Sequence, residues 1–254
     1  MKPTTAILVL ATCVTTASAQ ENKNPKLPSG WRVHDMDRPL PKIITPGDSP
    51  SDAPSDAIIL FDGTNLDAWV GRKTADNPEG KAQWKIEDGY TEVAAVGNIQ
   101  TKRRFGDLQI HLEWATPTII NEDAQRRGNS GIYLMGLYEI QIMDAYENPA
   151  YPDGMAGAVY GQTPALVNAS KKPGEWQTYD IIFKSPRFEG QKMVSPPTVT
   201  VIHNGVVVQN NTEILGSTNH NRLPTVKAHA PKAPITLQDH GQPVRYRNIW
   251  VREL

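Results

Sequence analysis

The sequence predicts an all-β protein, a jelly-roll sandwich of two antiparallel sheets. Three observations predict it. Short runs alternate apolar and polar residues with period two, helical periodicity is nearly missing from Ile58 to Leu254, and glycine or proline separates the runs. Leu108, Ile110, Leu112 and Trp114 alternate with Gln109, His111 and Glu113. Tyr138, Ile140 and Ile142 alternate with Glu139, Gln141 and Met143. A strand is expected from Thr178 to Phe183, with Trp176 just before it as a core residue. Between Thr198 and Gln209, two β-branched runs flank Asn204-Gly205, a strong hairpin signal because both residues tolerate positive φ. Ile235 to Gln238 and Ile249 to Val251 supply the last strands. About 200 residues suit a sandwich of a dozen or more strands as one domain.

What precedes this domain is different in kind. Residues 1–19 read as a secretory signal: Lys2, an apolar stretch from Ala6 to Val14, then Ala17-Ser18-Ala19 before Gln20. That stretch is too short to span a bilayer, so no transmembrane segment is expected. Leu10-Ala11-Thr12-Cys13 leaves a lipoprotein alternative open. Residues 20–56 carry Pro25, Pro28, Pro39, Pro41, Pro46, Pro50 and Pro54 and read as an extended arm or strap. The folded domain is expected over 57–254. Cys13 is the one cysteine, so the mature chain has neither disulfides nor thiolate chemistry. Twenty-six basic against 27 acidic residues leave a net charge of −1, which disfavours nucleic acid as a partner. Lys102-Arg103-Arg104 reads as a solvated turn.

The chemistry-bearing residues cluster in two segments. In the first, Gly128-Asn129-Ser130-Gly131 precedes the Tyr138 strand, whose Glu139 and Gln141 share one face. That face is either a solvated sheet surface or a ligand surface, with Asn129 and Ser130 nearby. In the second, Gln238 and His240 share a face beside Gly241, and a histidine there suits binding or proton transfer near neutral pH. Glu139-x-Gln141-x-x-Asp144 is similar to the Glu-x-Asp-x-x-Glu signature of family 16 glycoside hydrolases, with Asp144 as the second carboxylate. Neutral Gln141 and the shorter Asp144 fit an ordinary retaining mechanism poorly. His111 and Glu113 share a face and are either a surface pair or ligands for a divalent ion. Tyr160 is placed to line a pocket, and Arg126 is near enough to the Asn-Ser-Gly turn to reach a ligand. No P-loop, dinucleotide fingerprint or Gly-x-Ser-x-Gly is present.

The chain resembles the 3-keto-disaccharide hydrolase family. The matching residues are Leu60-Phe61-Asp62-Gly63-Thr64-Asn65-Leu66, Gly128 to Ile132, Tyr138 to Gln141, Gly157 to Tyr160, Lys172 to Trp176, Asn204-Gly205, Ile235 to Gly241 and Val244 to Ile249. They run in order from about residue 57 to 254. One departure is Leu134-Met135, where many members carry an arginine. The resemblance implies a concanavalin A-like fold and cleavage of glycosides already oxidised at C3 by a separate sugar 3-dehydrogenase. A base removes the C2 proton, the enolate expels the C1 substituent, and water adds to the enone. On this reading His240 or Glu139 is the base, and Gln141, Gln238, Asn129 and Tyr160 hold the sugar. A divalent ion at His111 and Glu113, or at Asp144, is a candidate enolate stabiliser. A non-catalytic carbohydrate-binding module and a family-16-like glycosidase are the alternatives.

Overall fold

The computed structural model describes residues 23–254; the secretory segment expected over residues 1–19 lies outside them. Two compact units divide the chain at Ile43/Ile44. In the first, Lys26 bridges Arg32 across a turn closed by Leu27 N donating to Trp31 O at 2.8 Å. The second unit holds everything below. Among the described residues, no helix is long and apolar enough to cross a membrane.

Fifteen strands form the second unit: β1 (Ile58–Phe61), β2 (Trp69–Val70), β3 (Lys85–Glu87), β4 (Tyr90–Glu92), β5 (Ile99–Thr101), β6 (Leu108–Ala115), β7 (Ser130–Leu134), β8 (Tyr138–Ile142), β9 (Gln177–Lys184), β10 (Arg187–Glu189), β11 (Lys192–Ser195), β12 (Thr198–His203), β13 (Val206–Glu213), β14 (Thr236–Leu237) and β15 (Arg245–Glu253). An eight-stranded sheet runs β13-β12-β9-β6-β15-β4-β3, with β1 also on β15, and a five-stranded sheet runs β2-β5-β14-β7-β8. All pairings are antiparallel. The all-β sandwich predicted from alternation is therefore the observed fold. The Asn204-Gly205 hairpin forms too, with φ of 51° and 82° at its two turn residues.

The core follows period two. Leu108, Ile110, Leu112 and Trp114 of β6 are buried, as are Ile132 and Leu134 of β7 and Ile140 and Ile142 of β8. Trp176 departs from expectation. It is only half-buried, beneath the guanidinium groups of Arg245 and Arg247, whose carbons lie 5.5 and 4.1 Å from its ring centre. The strand it precedes is already fixed by Gln177 and Tyr179, which leaves the indole outside the core.

Residues 44–56 belong to this unit. Ser51 O accepts from Asn248 Nδ2 at 2.8 Å and from Trp250 Nε1 at 3.0 Å. Arg252 Nε donates to Asp56 Oδ1 at 2.8 Å. This strap thus ties to β15 where that strand bulges between Arg247 and Trp250.

Candidate active site

The site grows from the register of β7 on β8. Gly131 pairs with Gln141 and Tyr133 with Glu139, so these four share the face opposite Ile132, Leu134, Tyr138 and Ile140. Leu237 of β14 pairs with Ile132, which turns the neighbouring Gln238 onto the same outer face. Gln238 N donates to Gly131 O at 2.9 Å. His240 follows in a turn pinned by Asp239, whose carboxylate accepts from Gly97 N at 2.8 Å and Gly241 N at 2.9 Å. Gly241 sits at φ 78°, the left-handed region this turn requires. Asn129 joins through Nδ2 donating to Gln125 O at 2.8 Å. Tyr160 is brought in where its N donates to Glu139 O at 3.1 Å.

Together Asn129, Tyr133, Glu139, Gln141, Tyr160, Thr218, His220, Gln238 and His240 line one hollow of about 130 Å³. Larger grooves of about 450 and 540 Å³ lie elsewhere. Their titratable side chains are exposed, and the Glu79–Lys81 pair there is a solvent-facing salt bridge. The small hollow holds a buried carboxyl, Glu139, which the larger grooves lack.

Glu139 is 3% exposed, although its face reads as a solvated or open surface in the sequence. The segments 151–163 and 216–220 cover it: Thr218 Oγ1 accepts from Glu139 N at 3.0 Å, and Ile140 bridges Val159. Burial raises the Glu139 carboxyl to about 7, against the opposing influence of the Tyr133 hydroxyl. No cation pairs with it among the described residues. Gly131 makes room for it, since a Cβ there would collide with Glu139 Oε1. Gln141 Nε2 donates to Gly154 O at 3.1 Å and Gln238 Nε2 to Tyr133 Oη at 3.2 Å. The Oε1 atoms of both glutamines are buried without a partner. Both oxygens belong to side chains that line the hollow and keep unused acceptor capacity there. His240 stands exposed at the rim.

Three expected site residues are elsewhere. Asp144 is buried in an ion pair with Arg127, whose Nε donates to Asp144 Oδ2 at 2.8 Å. It cannot face Glu139 as a second carboxylate, because β8 ends at Ile142 and the chain turns to meet that arginine. Arg126 points to solvent; its neighbour Arg127 carries the contacts. Ser130 faces the core, with Oγ 2.5 Å from Tyr246 Oη.

His111 and Glu113 lie on the other sheet, in β6, within a charged network in which His111 Nε2 stands 3.9 Å from Glu113 Oε1. His111 Nδ1 is 2.8 Å from Asp180 Oδ1, and its ring stacks on Trp250 at 5.3 Å. Glu113 accepts from Arg247 Nε at 2.7 Å and Asn248 Nδ2 at 3.0 Å. Burial works against both charges, yet the hydrogen bonds win. His111 is raised to about 9 by Asp180 and Glu113, and Glu113 is lowered to about 2 by His111, Asn248 and Arg247. These residues do not fit a divalent ion: a guanidinium and a protonated imidazole already occupy the carboxylates. No group of three or more metal-ligating side chains occurs among the described residues.

Tyr133, Thr218 and His220 are site residues that sequence reasoning missed. Tyr133 had a signal, for it lies two residues from Gly131 on the same face. Thr218 and His220 come from a loop without periodicity.

The 3-keto-alpha-glucoside-1,2-lyase-like domain family matches residues 56–252. The chain belongs to this family. It is 23% identical to the 3-keto-disaccharide hydrolase of Bacteroides thetaiotaomicron, over 78% of each chain. A crystal structure from Parabacteroides distasonis, of a protein provisionally named a glycosyl hydrolase, shares 47% identity. It covers 91% of this chain and 100% of that one, with a TM-score of 0.80. A second protein of that organism and provisional name is 24% identical, with a TM-score of 0.53 over 76% of this chain and 98% of that one, and supports the fold alone. Family membership and these relatives support a glycosidase-type, carbohydrate-acting function for the chain.

Proposed function

We propose that this family member cleaves the glycosidic bond of 3-keto-glycosides by elimination and hydration, with Glu139 as the base. The observation that carries the reading is a buried carboxyl raised to about 7, without a cation, in the hollow that also holds His240 and two partnerless amide oxygens. A base poised near neutral pH is what abstraction of a proton beside a ketone requires.

The chemistry balances with the chain's own groups. Glu139 takes the C2 proton, and the C2–H electrons form the enolate on the C3 oxygen. Those electrons return to form the C1=C2 bond as the C1–O bond breaks, and the leaving oxygen takes the proton that Glu139 removed from C2. Water then adds its oxygen to C1 as Glu139 takes one of its protons, and Glu139 passes that proton to C2, giving the free 3-keto sugar. His240 at the rim offers an N–H to the C3 oxygen, and the free Oε1 atoms of Gln141 and Gln238 accept from sugar hydroxyls. A retaining glycosidase would need a second carboxylate about 5 Å from Glu139; Asp144 is held by Arg127 instead.

On this reading a separate sugar 3-dehydrogenase supplies the ketone, and the signal-like residues 1–19 export the enzyme to the periplasm or beyond. The test is to incubate the protein with a 3-keto-glucoside and with its unoxidised parent. Release from the ketone alone is expected. Release from both would point to a conventional glycosidase, and release from neither to a binding module.

A further inference from the structure

Three tyrosine hydroxyls lie within electrostatic range of the Glu139 carboxyl: Tyr133, Tyr160 and Tyr246. Burial raises all three, and the Glu139 charge raises them further. Two of them are engaged elsewhere. Tyr246 Oη is 2.5 Å from Ser130 Oγ, and Tyr160 Oη is 2.9 Å from Tyr151 Oη and 2.8 Å from His220 Nδ1. The other titratable groups lining the hollow are His220, spent on Tyr160, and His240, exposed at the rim. Tyr133 is the one whose hydroxyl hydrogen-bonds the Glu139 carboxyl. Cross-strand pairing puts it there, since Tyr133 of β7 stands directly opposite Glu139 of β8. The Tyr133 oxygen is also held from another side, where Gln238 Nε2 donates to it at 3.2 Å. Gln238 in turn is placed by its own backbone, whose N donates to Gly131 O at 2.9 Å.

We propose that Tyr133 and Gln238 are positioning residues for the base, with Gln238 holding the Tyr133 oxygen so that the Tyr133 O–H is aimed at the Glu139 carboxylate. The proposal rests on the reading of Glu139 as that base. A phenol has one proton to give and lone pairs with which to accept. The Gln238 amide N–H occupies the accepting side, and the single proton goes to the facing carboxyl. Such a bond has two effects. It holds one carboxylate oxygen still, which leaves the other to meet the C2 proton in a fixed geometry. It also favours the charged, proton-accepting form and so offsets part of what burial costs that form. The Gln238 amide is oriented by the same contact: with Nε2 on Tyr133, Oε1 is the atom left buried without a partner.

The experiment is the pH dependence of kcat/KM on a 3-keto-glucoside in the wild type, Tyr133→Phe and Gln238→Met. Tyr133→Phe keeps the ring and removes the hydroxyl. Taking a hydrogen bond from the ionised carboxylate predicts an ascending limb displaced upward by about one pH unit or more. Gln238→Met keeps the length of the side chain but has no N–H to offer, and it moves the limb in the same direction by less. A merely structural role would lower turnover at every pH and leave the midpoint in place. An unmoved or lowered midpoint in either variant therefore overturns the proposal. Failure of the elimination reading would show differently, as a wild type that turns over no ketone. The Glu139 carboxyl is then titrated by carbon NMR in the same three proteins without substrate. Upward displacement in both variants supports the relay, and coincident titrations reject it.

Discussion

Glu139 on β8 and Glu113 on β6 are the same residue type, both nearly hidden from solvent, at 3% and 8% exposure. Their chemistry diverges because of what stands beside them. Glu113 meets Arg247, Asn248 and His111, and is held ionised with its carboxyl lowered to about 2. Glu139 meets Tyr133, Gln141 and Gln238, none of them cationic, and burial raises it to about 7. Burial alone therefore does not mark a functional carboxylate. Burial without a counter-ion, beside unfilled hydrogen-bonding capacity, does. Glu113 is paired with a cation between β6 and β15; Glu139 has none among the described residues.

The sharpest way to break this contrast is Glu139→Gln. Turnover of a 3-keto-glucoside should fall by about 10²–10⁴, as loss of a general base predicts, in an assay of released alcohol. The same variant should gain stability at pH 8. A carboxyl raised in the folded state favours folding while protonated, and that advantage is lost as pH rises from the unfolded value through about 7. Removing it should recover on the order of 3 kcal/mol in denaturant unfolding at pH 8, and nothing at pH 4.

Glu113→Ala should do the reverse. Leaving Arg247 and His111 without their carboxylate should cost about 3 kcal/mol of unfolding free energy, with kcat/KM unchanged. The pH windows differ in sign as well. The Glu113 contribution is present above its ordinary value and lost as pH falls through about 2, whereas that of His111 is present below its ordinary value and lost as pH rises through about 9. Acid and base unfolding curves of Glu113→Ala against wild type read both limbs.

A subtler perturbation is Gly131→Ala. Its Cβ must displace the Glu139 carboxylate, and a misplacement of this kind should lower kcat by about 10² with little change in KM. Smallest of all is Arg126→Ala. The side chain is exposed and off the hollow, so both turnover and stability should stay within about 0.5 kcal/mol of wild type.

The legible part of the molecule is what period two controls. Alternation set Glu139 beside Gln141 and Gln238 beside His240, and it separated these faces from the core stripes of β6, β7 and β8. It also contained Tyr133, unread, directly opposite Glu139. Periodicity says which face a residue occupies but not what lies over that face. The covers of Glu139 come from segments 151–163 and 216–220, and their arrival turns a solvated-looking face into a desolvated pocket. The fates of Asp144 and Arg126 were equally hidden. Two consecutive arginines diverge, and the one that turns inward, Arg127, claims Asp144 from 17 residues away. Long-range ion pairs of this sort leave no trace in local spacing.

The central claim is that Glu139 acts as a carboxylate base, and the pH profile of kcat/KM on a 3-keto-glucoside tests it most directly. An ascending limb with a midpoint near 7, lost together with turnover in Glu139→Gln, is the predicted result. A profile flat from pH 5 to 8, or a Glu139→Gln protein that keeps wild-type turnover, would contradict it.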